Sequence, residues 1–216
     1  MDLSNLRQEY ADRQLDVDHA DGDPHQQFER WYREAEAAEL LEPNAMVLAT
    51  VNAEGGPAQR TVLLKYFDSQ GFVFFTNYQS RKSQHLKLNP HASILFQWLP
   101  LQRQVEVRGK VSKIAQEETE NYFLSRPRGS QLGAWVSRQS EVLNSRSVLD
   151  DRLADLTKKF GDGQIPVPSF WGGYRLVAES FEFWQGRPNR LHDRIAYGMG
   201  SGTDPKSQWN RVRLSP

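Results

Sequence analysis

Two tight turns constrain this chain more than any other feature. Residues 45–51, 59–67 and 72–76 are apolar or alternate in polarity, and only residues 52–57 and 68–71 connect them. Connections this short cannot carry the crossover that parallel neighbours need, so the three stretches read as an antiparallel meander. The same character resumes at residues 92–98 and 104–114, where Val105, Val107 and Val111 share one face. It returns at 173–184 after the Pro- and Gly-rich IPVPSFWGG, and again at 209–214.

Helical periodicity is confined to shorter intervals. Over residues 24–41, Phe28, Trp31, Tyr32, Ala35, Ala38 and Leu41 recur at three and four, behind a Pro that suits a first helical turn. Further helices are expected at 80–88, stopped by Asn89-Pro90, at 117–125 and at 148–160. Many antiparallel strands with few helices make an α+β, mainly antiparallel β domain whose sheet closes into a small barrel, since closure removes exposed edges. Residues 1 to about 24 are polar, carry Asp16, Asp18, Asp21 and Asp23, and read as a mobile arm with one helical turn near Leu6 to Tyr10. Residues 25–216 then form a single domain, with no internal repeat and no linker.

Composition removes several function classes. The 27 basic and 27 acidic side chains cancel, so no global field favours nucleic acid or an anionic membrane, and anion recognition must come from local clusters. Cysteine is absent, which excludes disulfides, thiolate nucleophiles and cysteine-ligated metal, and redox chemistry would need a borrowed cofactor. The five histidines show no metal-ligand spacing, so no metal is expected. GxGxxG, GxxxxGK[ST] and GxSxG are all missing. The start lacks an apolar leader core and the apolar run at 45–51 is too short to span a bilayer, so the expected address is the cytoplasm.

Three constellations can carry chemistry. Arg60 and Lys65 lie on one expected strand, and Arg81 and Lys82 open a short helix. Cations in a helix's first turn oppose its dipole unless an anion binds there, so a phosphate would resolve the conflict; a solvated basic face is the plain alternative. Alternation along QRTVLLKYF turns Arg60 and Lys65 to opposite faces, which suggests two anions or one structural role. Residues 121–140 combine Tyr122, Arg126, Arg128 and Ser130 with Gly-bearing turns, a loop that offers phosphate partners or merely turn chemistry. In FEFWQGRPNRLHDR, residues 181–194, a strand runs into a loop holding Arg190, His192, Asp193 and Arg194, which suits a ring-shaped ligand.

That last segment closely resembles the C-terminal signature of pyridoxamine 5′-phosphate oxidases. The resemblance extends through RTVLLK, FFTNYQSRK, RQVEVRG, YFLSRPRGSQLGAWVS and PSFWGGYR, and covers the chain from Phe28 onward. It implies an FMN-binding split β-barrel with peripheral helices, a homodimer with FMN at the subunit interface. It also implies oxidation of pyridoxamine or pyridoxine 5′-phosphate to pyridoxal 5′-phosphate, with dioxygen reoxidising the flavin to give hydrogen peroxide.

By the same resemblance, Arg60, Arg81 and Lys82 hold the FMN phosphate within a cofactor set that includes Thr61, Val62, Leu63, Leu64, Lys65 and Phe75. Thr76, Gln104 and Trp184 surround the flavin, Gln139 and Ser140 reach it from the partner subunit, and Arg194 lies near the ring. Lys65, Tyr122, Arg126 and Ser130 hold the substrate phosphate. Arg190, Leu191 and His192 face the pyridine ring, with Arg190 and His192 catalytic: Arg190 orients the substrate and His192 assists by hydrogen bonding. Arg7 and Tyr10 cover the substrate, although the acidic QLDVDHADGD replaces the arginines common in relatives, so no further anion site is expected there. A non-catalytic flavin or haem carrier on the same barrel, or a reductase using another flavin-type cofactor, is the competing class, and a nucleic-acid-binding barrel a third. Only the oxidase needs the complete substrate-side set.

Overall fold

The computed structural model describes Tyr10, residues 13–199 and residues 209–216, and all structural statements concern these. The expected turn around Leu6 and the candidate Arg7 lie outside them. Helix α1, Pro24–Ala37, starts where Asp23 accepts a hydrogen bond from the His25 N–H at 2.9 Å, and it buries Phe28, Trp31 and Ala35. It ends before Leu41, which is 94% exposed, because Glu39 takes a left-handed φ of 51° and breaks the periodicity.

The strands are β1 (Ala45–Val51), β2 (Pro57–Leu63), β3 (Tyr66–Asp68), β4 (Gly71–Asn77), β5 (His91–Trp98), β6 (Arg103–Lys113), β7 (Trp171–Gln185), β8 (Asp193–Met199) and β9 (Trp209–Leu214). They form one curled sheet in the order β2-β1-β5-β6-β7-β4-β3, with β8 on β7 and β9 on β8, and every pairing is antiparallel. The fold class is that of a split β-barrel with peripheral helices. Strand β7 makes the split. Its first half pairs with β4 and its second half with β8, while β6 runs along its other edge. A bulge between Arg108 and Gly109 bends β6; a Cβ at Gly109 would sit 1.9 Å from the Val177 carbonyl oxygen, so only hydrogen fits.

Three expectations are corrected. The single strand over 59–67 is two strands: the Leu64 N–H donates to Asn44 O and the Lys65 N–H to Val73 O, so the chain changes partners there. The alternation that would oppose Arg60 and Lys65 therefore does not run through Lys65. The helix expected at 117–125 is present as α3 (Gln116–Ser125), but the loop expected beyond it is largely a second helix, α4 (Arg128–Val136); the two are separated at Arg126-Pro127, where proline forces the preceding residue to an extended ψ of 148°. The loop after Trp184 is shorter than expected, since Asp193 and Arg194 already belong to β8, where Arg194 pairs with Trp184. The remaining helices are α2 (Arg81–Leu88) and α5 (Ser147–Phe160).

The main core lies inside the curl, where Phe28, Phe72, Phe96, Phe181 and Phe183 are almost fully buried. A smaller cluster around Phe123, Leu132, Ile165 and Trp171 fixes α3 and α4 against the sheet. Residues 13–23 pack on β8 and β9: Leu15 and Ala20 are buried, and the Leu15 N–H donates to Asp193 Oδ2 at 3.1 Å. Arg213 pairs with Asp16 at 2.9 Å and with Asp193 at 2.7 Å.

Candidate functional site

A cavity of about 1020 Å³ opens where β2 and β4 meet the N-terminus of α2, the α3–α4 corner and residues 137–140. Strand β2 and its exit supply Arg60, Thr61, Val62, Leu63 and Lys65, and β4 supplies Phe75 and Thr76. Helix α2 supplies Arg81 and Lys82, the α3–α4 corner Tyr122, Arg126 and Ser130, and the following segment Gln139 and Ser140. Arg60, Lys65, Arg81, Lys82 and Arg126 are five cations in a wall without a carboxylate. Among the described residues none of the five makes an ion pair.

Lys82 and Arg60 are held by neutral groups. Lys82 is only 8% exposed, and its ammonium donates to Gln139 Oε1 at 2.9 Å and Thr76 Oγ1 at 3.1 Å. Burial, and then the nearby Arg60 charge, bring its pKa down to about 8. Arg60 is likewise lowered by burial and by Arg81. Burial lowers Arg126, against the opposing effect of Tyr122; its Nη1 is buried without a hydrogen-bond partner, and its guanidinium lies 4.7 Å over Trp171. The first turn of α2 holds no acidic residue, and Ser80 makes no side-chain cap. Partly buried cations at a helix N-terminus favour an anion between them. Beside them, Tyr122, Phe75 and Trp171 stack at centroid distances of 3.9 Å and 5.3 Å, a flat apolar wall.

Gln139 and Ser140 lie in the cavity of their own chain. Gln139 accepts from Thr76 Oγ1 at 3.0 Å, and Ser140 Oγ accepts from the Arg81 N–H at 3.2 Å. This differs from the expectation that a partner subunit supplies them. Leu64 does not reach the cavity, because its side chain is core.

The other expected residues gather elsewhere. His192 lies 4.6 Å from Trp184 and 5.5 Å from Tyr10, ring centre to ring centre. Gln104 stands opposite Trp184 on β6, and Arg194 opposite it on β8. Arg194 is tied to Glu182 by two hydrogen bonds, of 2.8 Å and 3.0 Å, which raise its pKa. His192 Nδ1 accepts from the Arg187 N–H at 3.1 Å, so a neutral ring carries its proton on Nε2. Burial, then Arg190, lower the His192 pKa, and Asp193 opposes them. Arg190 and Leu191 are exposed, and Asn189 and Arg190 both take left-handed φ values, of 56° and 61°. Leu191 and His192 line a smaller hollow of about 370 Å³ with Arg213.

Trp171 lines the first cavity and Trp184 anchors this second cluster, thirteen residues further along β7. At about 3.3 Å per residue that is roughly 40 Å of strand. One chain does not bring the two sets together. Sequence reasoning missed Trp171, Asn77 and Ser137 as cavity residues, although PSFWGGYR and LGAWVS frame two of them. Among the described residues no acidic, histidine or cysteine cluster could hold a metal ion, and no helix is long and apolar enough to cross a membrane.

Known proteins resemble the chain over its whole length. The family profile described as pyridoxamine 5′-phosphate oxidase matches residues 32–159, and that described as pyridoxine 5′-phosphate oxidase C-terminal dimerisation region matches residues 171–216. Pyridoxine/pyridoxamine 5′-phosphate oxidase of Crocosphaera subtropica is 56% identical over 216 residues, covering 100% of both chains. Its counterpart in Rubrobacter xylanophilus is 54% identical, over 100% of this chain and 97% of that one. Among solved structures, PhzG from Burkholderia lata, in complex with tetrahydrophenazine-1-carboxylic acid, superposes with a TM-score of 0.87 at 27% identity, covering 95% of this chain and 98% of that one. A pyridoxamine 5′-phosphate oxidase-related, FMN-binding protein from Nostoc punctiforme shares the fold, with a TM-score of 0.70 at 16% identity, over 90% and 98% of the two chains.

Proposed function

The chain belongs to the pyridoxine/pyridoxamine 5′-phosphate oxidase family, and from that premise we propose that it oxidises pyridoxamine or pyridoxine 5′-phosphate to pyridoxal 5′-phosphate with FMN as cofactor, dioxygen as acceptor and hydrogen peroxide as product. The observation that carries this reading is the cavity with five cations and no carboxylate, large enough for two phosphate-bearing ligands. Arg60, Arg81 and Lys82, at the start of α2, suit the flavin phosphate. Lys65, Tyr122, Arg126 and Ser130 suit the substrate phosphate, with the unpartnered Nη1 of Arg126 as a ready donor. When bound, the flavin supplies a two-electron acceptor for the substrate C4′ carbon and a route for those electrons to dioxygen.

The protein's own part is binding and orientation. The stacked wall of Tyr122, Phe75 and Trp171 excludes water from one side of the cavity. Arg190 orients the pyridine ring and stabilises charge near the reacting carbon, while neutral His192 offers its Nε2 hydrogen. These two residues, with Gln104, Trp184 and Arg194, complete the site from a second copy of the chain. That arrangement is supported by the roughly 40 Å of strand between the two sets and by the profile described as a dimerisation region, which spans 184–194.

The test is spectroscopic. The purified chain should carry a flavin absorption band that bleaches when pyridoxamine 5′-phosphate is added without oxygen and returns on aeration. A colourless chain that takes up no FMN, or a band indifferent to the substrate, would contradict the proposal.

A further inference from the structure

Behind Arg60 a short hydrogen-bond relay joins the elements that supply the cationic cradle. Arg60 Nη1 donates to Thr50 Oγ1 at 2.7 Å and to Leu48 O at 3.1 Å, and Thr50 Oγ1 lies 3.0 Å from His85 Nδ1. Thr50 and His85 are 1% and 8% exposed, and neither lines the cavity. A guanidinium only donates, so Thr50 accepts from Arg60 and has a single hydrogen left to give. One hydrogen bond between Thr50 Oγ1 and His85 Nδ1 completes the relay, its direction set by the imidazole tautomer.

His85 stands four residues after Arg81 on α2, on the helix face below the turn that carries Arg81 and Lys82. The relay therefore runs from β2 through β1 to α2. It also meets an electrostatic difficulty. Arg60 lies among like charges: after burial, the Arg81 charge lowers the Arg60 pKa and the Arg60 charge lowers that of Lys82. A carboxylate in place of Thr50 would hold Arg60 but cancel its charge. A hydroxyl, itself hydrogen-bonded to an imidazole, holds it and leaves the charge whole.

We propose that Thr50 and His85 are positioning residues for phosphate recognition, fixing Arg60 and the first turn of α2 on one anion, so that they govern affinity for the flavin's phosphate and not for its ring. The inference rests on the flavin reading of the cavity. Its test is to titrate the full-length chain, freed of flavin, with FMN and with riboflavin, which lacks the phosphate. Wild type should prefer FMN strongly. Thr50→Val, nearly equal in volume, should weaken FMN about tenfold, the scale of one hydrogen bond to a charged group, and leave riboflavin unchanged. Thr50→Ser should restore FMN affinity. His85→Phe, which removes the hydrogen-bond partner of Thr50 on the helix side, should show the same phosphate-selective loss. Unchanged FMN affinity in Thr50→Val and His85→Phe, or equal loss of both flavins, would overturn the inference while the flavin reading stands. A wild-type chain indifferent to the phosphate would overturn both.

Discussion

Lys82 is the residue through which pH should reach the cavity. Only its charged form attracts an anion, and its pKa in the anion-free protein is about 8. Affinity for FMN is therefore expected to fall as pH rises through about 8, by up to about tenfold per unit until the higher pKa of the bound state is passed. A titration from pH 7 to 9.5 checks this, and Lys82→Met should flatten the profile while lowering affinity throughout. The anion-free protein should behave in the opposite way. Its Lys82 pKa lies below the ordinary 10.5, so the unfolded chain binds more protons between about 8 and 10.5, and stability rises with pH across that window. Arg190→Ala should cost on the order of 10²-fold in turnover with the flavin still bound, the scale of a lost donor at developing charge. Normal turnover in that variant would remove Arg190 from catalysis. Arg81 and Lys82 were legible in the sequence because cations at a helix start conflict with its dipole. Thr50 and His85 were not, since their role exists only once β1, β2 and α2 are in register.

At the scale of elements, β7 decides the architecture, and Gly109 opposite it permits the bend. Gly109→Ala would push a methyl into the Val177 carbonyl, at an expected cost of about 3 kcal/mol. Thermal unfolding should then fall by about 6–12 °C, as for a domain of this size. Residues 13–23 are fastened by Asp193, which accepts from the Leu15 N–H and pairs with Arg213 beside His192. Asp193→Asn should speed tryptic cleavage at Arg13 and raise KM more than it lowers kcat, because Tyr10 rests on His192 and Trp184. The strands were readable from alternation and turn spacing. Helix α4 was hidden by Gly129 and Gly133, whose low helical propensity mimics a loop, and β8 because its polar Asp193 and Arg194 earn their place through cross-strand partners.

At the scale of the whole molecule, one chain keeps the two groups of proposed site residues apart. The cationic cavity lies at one end of β7 and the Trp184–His192–Arg194 group at the other. No local signal in the sequence reports that separation, which follows from the length of one strand and the order of the sheet. A chain that oxidised its substrate alone would need both groups at one place. The direct measurement is complementation. Arg126→Leu and Arg190→Leu are each expected to be inactive as pure dimers. After subunit exchange, half the dimers are mixed, and each mixed dimer holds one site free of both substitutions. Activity should return to about a quarter of the wild-type value per site. Continued inactivity, with mixed dimers demonstrated by native mass spectrometry, would contradict a site shared between two copies.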